Sequence, residues 1–178
     1  MTGISLDILT KGNRQGFTIV ELLIVIVVIA ILATISSVAY NGIQSRSKAS
    51  QVIAGVNTYY KAFLSYKAVH GSYPTPSSPG SYCLGAGYPS NQCWIGSPNV
   101  YVNNQLDTAL SEFIPTKPVL ATSLFPLGDG TNTRAGLTYT STTNVFHWEL
   151  FGANQACGLS GAAAANYSDI TYCVITLP

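Results

Sequence analysis

Charge is what this chain has least of. Asp, Glu, Lys and Arg make up 8% of its 178 residues, against roughly a quarter in ordinary globular domains. The formal net charge is +1, so no basic surface points to nucleic acid as a direct specific ligand or to an acidic partner. Histidine occurs twice, as His70 and His147, which leaves little for acid–base or metal chemistry. Proline is missing from the first 73 residues, with Pro74 the first, so nothing in that stretch forbids one long helix. Cysteine is limited to Cys83, Cys93, Cys157 and Cys173. None forms a C-x-x-C pair and no histidine stands at finger spacing, so a metal centre is not expected.

What the chain has in place of charge is one apolar block. Phe17 to Ile35 is apolar throughout except for Thr18, Glu21 and Thr34. As a helix this length rises about 28 Å, close to the roughly 30 Å hydrocarbon core of a bilayer. It exceeds the apolar core of an ordinary secretory signal, about 7–15 residues, and no small-residue cleavage site follows it. Lys11 and Arg14 lie just upstream, which places the short N-terminus in the cytoplasm and everything after about Ser36 outside it. Arg46 and Lys48 on the far side weaken that asymmetry without reversing it. Glu21 is the anomaly, because a carboxylate inside a membrane span costs a few kcal/mol.

Beyond the block, Ala49, Ile53, Val56, Tyr60 and Phe63 recur at spacings of four and three, one helical stripe. Gly71 and the following "SYP" supply the stop, so a helix from Phe17 to about Val69, roughly 80 Å long, is expected. Gly42 is a soft point within it. Residues 71–118 are broken by proline and glycine and read as an irregular stapled loop, with a short helix over "NQLDTALSEFI". Residues 119–178 carry the strand signals: "GLTYTST", "NVFHWELFG" and "DITYCVITL", the first two joined by a turn at "TSTTN". "GANQACGLSGAAAANYSD" between the last two reads as loop. The predicted class is α+β, a long N-terminal helix packed on a C-terminal antiparallel sheet of three to four strands.

On the exported side, four cysteines read as two disulfides with three connectivities open. Sequence proximity favours Cys83–Cys93 and Cys157–Cys173, each worth on the order of 3 kcal/mol. "HWE" at His147–Glu149 invites a catalytic reading, but neighbouring strand residues point to opposite faces and only one other histidine exists, so none is expected. "GDGTN" at Gly128–Asn132 offers oxygen ligands but lacks a second close carboxylate, and is expected to be a turn and not a calcium site. The eleven tyrosines, with Trp94 and Trp148, are expected mostly to pack the sheet.

"RQGFTIVELLIVIVVIAILA" resembles the prepilin N-terminus shared by type IV pilins and the pseudopilins of type II secretion and competence systems. Basic residues precede a glycine, a phenylalanine opens the apolar run, and a glutamate follows within it. The resemblance implies a leader, residues 1–16, cut after Gly16 by a prepilin peptidase, with N-methylation of the new terminus at Phe17. It further implies a span at 17–36 that anchors the subunit in the cytoplasmic membrane and later polymerises, followed by an amphipathic half at 37–70. Phe17 and Glu21 are the implied assembly residues, the amine of one subunit meeting the carboxylate of the next. Loss of the leader removes Lys11, Arg14 and Asp7, leaving six basic and six acidic side chains. The implied product is a homo-oligomeric filament built by an assembly platform and a separate ATPase, without a cofactor or enzymatic activity of its own. A type IV pilus for adhesion, motility or DNA uptake is the first reading. A minor pilin or a periplasmic pseudopilin is the second, and a membrane-anchored binding domain that never polymerises is the alternative of another class. Many pilins carry a glycine or proline partway along this helix, where it extends in the filament. Here Gly42 would have to serve.

Overall fold

The computed structural model describes residues 16–121, 124–126, 132–167 and 169–178, with backbone alone for 37–42 and 126. Helix α1 runs from Ile19 to His70. It starts two residues later than expected because Thr18 caps it, and it closes where Gly71, at φ 79°, donates its N–H to Lys67 O at 2.8 Å. That left-handed cap is open to glycine at no steric cost. The chain divides into two compact units between Asn41 and Gly42.

In the second unit, Ala49, Val52, Val56, Tyr59 and Phe63 are buried. The buried line is rotated slightly from the expected one, with Ile53 and Tyr60 on its flank. Gly55, overlooked in favour of Gly42, lies on this face. A Cβ there would stand 2.0 Å from Leu120 Cδ2, so the helix admits Leu120 by having no side chain at that point.

The stripe packs on a five-stranded antiparallel sheet, one strand more than the expected upper bound. Its members are β1 (Ser81–Leu84), β6 (Gly136–Thr140), β7 (Val145–Phe151), β8 (Ala163–Tyr167) and β9 (Ile170–Thr176), in the order β1-β6-β7-β9-β8. Strands β6, β7 and β9 fall on the three predicted segments, and the β6–β7 turn on "TSTTN". Trp148 pairs with Leu137 and Cys173, and Phe146 with Tyr139 and Ile175, which places these six on the helix-facing side. Phe63 sits edge-on to Tyr139 (4.6 Å between centroids) and to Phe146 (4.9 Å), the geometry aromatic quadrupoles favour.

Two expectations are corrected. The region 71–118 is not an irregular loop throughout: it contains β1, β2 (Gln92–Ile95), β3 (Val100–Tyr101) and helix α2 (Asn104–Leu110). Asn103 caps α2, its Oδ1 accepting from Gln105 N at 2.8 Å and Leu106 N at 3.1 Å. Strands β2 and β3 join β4 (Phe125–Pro126) and β5 (Thr133–Arg134) in a second, four-stranded sheet ordered β3-β2-β5-β4. The tetra-alanine segment, read as loop, is edge strand β8. Alanine is a poor strand former, and pairing from Ala163↔Val174 to Tyr167↔Ile170 overrides its preference.

Cys83 and Cys93 are joined (S–S 2.02 Å) and tie β1 of the large sheet to β2 of the small one. Cys157 and Cys173 are joined (S–S 1.98 Å) and tie the β7–β8 connection to β9.

Candidate functional site

The first candidate is the N-terminal segment. Its aliphatic side chains from Ile19 to Ile35 are all exposed, so within the subunit this stretch has no core to join. Ile19–Ser36 is long and apolar enough to cross a membrane. Its hydroxyls do not spoil that: Thr34 Oγ1 donates to Ala30 O and Ser36 Oγ to Leu32 O, both at 2.8 Å, so neither needs an outside partner.

Thr18 and Glu21 form a reciprocal capping box. Thr18 Oγ1 accepts from Glu21 N at 3.2 Å, while Glu21 Oε2 accepts from both Thr18 N and Thr18 Oγ1 at 2.8 Å. A local role for Glu21 is therefore present in the single subunit. The signal was legible as T-x-x-E in "TIVE", ahead of an apolar run, and the reading of Glu21 as an assembly residue passed over it. Both bonds to the carboxylate fall on Oε2, and Oε1 receives neither. Gly16 lies next to this box, exposed, and a Cβ added there would meet nothing within 4 Å. The fold of the chain itself thus places no demand for glycine at position 16.

The second candidate lies in the domain, on the face of the large sheet turned away from the helix. Alternation along β7 puts Trp148 against the helix and brings His147 and Glu149, two residues apart, to the other side. This corrects the argument that "HWE" scatters its polar groups, since only the tryptophan is separated from the other two. Tyr172, paired in register with Glu149, joins them, and its hydroxyl is hydrogen-bonded to His147 Nδ1. From the small sheet come Trp94 and Arg134, themselves register partners, with the guanidinium 3.1 Å from the indole centroid. Together they enclose a cavity of about 330 Å³.

Glu149 is 2% exposed, and its Oε2 has no hydrogen-bond partner among the described residues. Burial pushes its carboxyl up to about 7, partly opposed by Arg134. Burial also lowers His147, with Arg134 adding to the effect, so the imidazole is held neutral. Among the described residues no group of three or more metal-ligating side chains occurs. The "GDGTN" segment lies outside the described residues apart from Asn132, whose Oδ1 accepts from Trp94 Nε1 at 3.3 Å and Ser97 N at 3.1 Å.

An exposed apolar helix start of membrane length, followed by helix and antiparallel sheet, is an α+β layout consistent with the pilin fold. Residues 11–37 match the family model of the prokaryotic N-terminal methylation motif, the class III signal peptide of type IV pilins and pseudopilins. No curated protein and no solved structure matches the chain. The motif implies prepilin processing and filament assembly in general, and with the apolar helix it fits a membrane-anchored precursor of a structural subunit.

Proposed function

We propose that the chain is a structural subunit of a type IV pilus. A prepilin peptidase cuts after Gly16, Phe17 becomes the methylated N-terminus, and subunits leave the cytoplasmic membrane to polymerise through residues 17–36 with the help of an assembly platform and its ATPase. The observation that carries this reading is the methylation motif over residues 11–37, set on a helix start whose apolar side chains find no cover in their own subunit. The chemistry is consistent with it. Cleavage turns the Phe17 peptide nitrogen into an amine, and in an apolar surrounding a cation and a carboxylate attract strongly. Glu21 Oε1, outside the capping box, is the acceptor for the amine of a neighbouring copy. An unpaired carboxylate at that depth is costly, so assembly is favoured when every subunit receives a partner.

The test is Gly16→Ala in the native host. Because a Cβ there meets nothing within 4 Å among the described residues, the variant should fold normally, keep its leader by intact-mass measurement and form no filaments. A wild-type chain that retains its leader in the host overturns the reading. The same motif marks pseudopilins, so a minor pilin or a periplasmic pseudopilus subunit is the second reading. Filaments recovered outside the cell at native expression favour the pilus, and a filament confined beneath an outer membrane favours the pseudopilus.

A further inference from the structure

The cavity between the two sheets has features that neither filament assembly nor packing requires. A buried carboxylate oxygen and a buried guanidinium nitrogen, Glu149 Oε2 and Arg134 Nε, both lack hydrogen-bond partners among the described residues. The helix-facing core holds two neutral atoms in the same state, Tyr59 Oη and Trp148 Nε1, but here the groups are ionisable, for which an unmade buried hydrogen bond costs most. The cavity walls are aromatic: the indole of Trp94 on one side, and on the other Tyr172, stacked on His147 at 5.6 Å with 28° between the rings. We propose that this cavity is a binding site for a single neutral sugar ring, the terminal residue of a glycan.

The ligand class follows from the charges and the shape. Arg134 repels a cation, and Glu149 disfavours an anion. A neutral ligand rich in hydroxyls suits both, because a hydroxyl can accept from Arg134 Nε and can exchange a hydrogen bond with Glu149 in either protonation state. The Tyr172 hydroxyl is hydrogen-bonded to His147 Nδ1, and Nε2 lies outside that bond, able to donate to or accept from a ligand hydroxyl according to the tautomer. Ser81 Oγ and Thr140 Oγ1 are already paired at 2.9 Å. They thus form a polar wall without a strong demand of their own. A sugar's C–H face is the apolar surface that the ring faces of Trp94 and Tyr172 not taken by Arg134 and His147 can cover. At about 330 Å³ the cavity is at the small end of ligand sites, room for one ring and not for a chain of them.

The site contains none of residues 17–36, so sugar binding and polymerisation can fail independently. The full chain, in a polyoxyethylene detergent that carries no sugar headgroup, is titrated with the methyl glycosides of galactose, mannose and N-acetylglucosamine. Binding is read by Trp94 fluorescence and by saturation transfer to the sugar protons. Inorganic phosphate serves as the anionic probe. At least one glycoside should give a saturable response by both methods. Glu149→Gln and Tyr172→Phe should each weaken it by about tenfold or more, the loss of a hydrogen bond in a buried site. Trp148, on the helix side of the sheet, should leave the response unchanged when replaced by Phe. The proposal is overturned if no glycoside saturates, if phosphate alone responds, or if the affinity is the same in Glu149→Gln and Tyr172→Phe as in the wild type.

Discussion

Along Ile19 to Ile35 the large aliphatic side chains stand exposed, while between Ala49 and Phe63 the chain buries the same kind of surface under a sheet. Both stretches belong to one helix, α1, and both satisfy their backbone within it. The difference is in what supplies the cover. Phe63 meets Tyr139 and Phe146 of its own chain. The first stretch is exposed along its length, and in the proposed function its cover comes from lipid and then from other subunits. A substitution in one stretch should therefore change assembly and leave the fold intact, whereas a substitution in the other should change the fold.

The largest separation is expected at Glu21. Glutamine preserves the capping box, which accepts Glu or Gln at that position, but removes the charge. Glu21→Gln should be cleaved normally and melt like the wild type, while filament yield by electron microscopy falls by about an order of magnitude or more, the loss of a charge pair in an apolar phase. Normal filaments would reduce Glu21 to a helix cap. Phe63→Ala tests the opposite stretch: it should cost about 3–5 kcal/mol in denaturant unfolding of the full chain in detergent. Leader removal should be unaffected in whatever fraction stays folded.

A pH experiment probes the far face of the same domain. The Glu149 carboxyl, raised to about 7 by burial, binds its proton more tightly in the folded chain than in the unfolded one, where the ordinary value is 4.5. Its contribution is therefore present in full below about pH 4.5 and is lost as pH rises through 7, about 3 kcal/mol in all. His147, lowered by burial, acts in the other direction, costing stability as pH falls below 6.5. The difference between wild type and Glu149→Gln isolates the carboxylate. Relative to the variant, the wild type should lose stability between pH 5 and pH 8. A difference independent of pH would mean that Glu149 is ionised throughout. The smallest effect is expected at Gly55→Ala. Pushing Leu120 aside costs about 1–3 kcal/mol, and the better helix propensity of alanine returns up to about 1. The net is a destabilisation of about 1 kcal/mol by thermal melting.

Legibility in the sequence followed the range of the interaction. The apolar block, the stop at Gly71, the short helix after Asn103 and strands β6, β7 and β9 depend on near neighbours and on a repeating period, and they were readable. Strand β1, "SYCL", has no alternation and sits among glycines and prolines. It is a strand because β6 offers an edge, from Ser81↔Thr140 to Leu84↔Leu137. Strand β8, "AAANY", is likewise made by β9. Gly55 looks like any helical glycine until Leu120, sixty-five positions away, is placed against it.

The N-terminal device needed no tertiary structure. Gly16, Phe17, Glu21 and the apolar run after them lie within one continuous segment, and the role proposed for them rests on a membrane, a peptidase and a neighbouring copy, not on the fold of this chain. The cavity of Trp94, Arg134, His147, Glu149 and Tyr172 depended on it wholly. Those residues span seventy-nine positions, and no spacing rule links them. Strand pairing puts His147, Glu149 and Tyr172 on one face, the small sheet sets Trp94 and Arg134 opposite, and that enclosure turns an ordinary surface glutamate into a buried one whose Oε2 has no partner among the described residues.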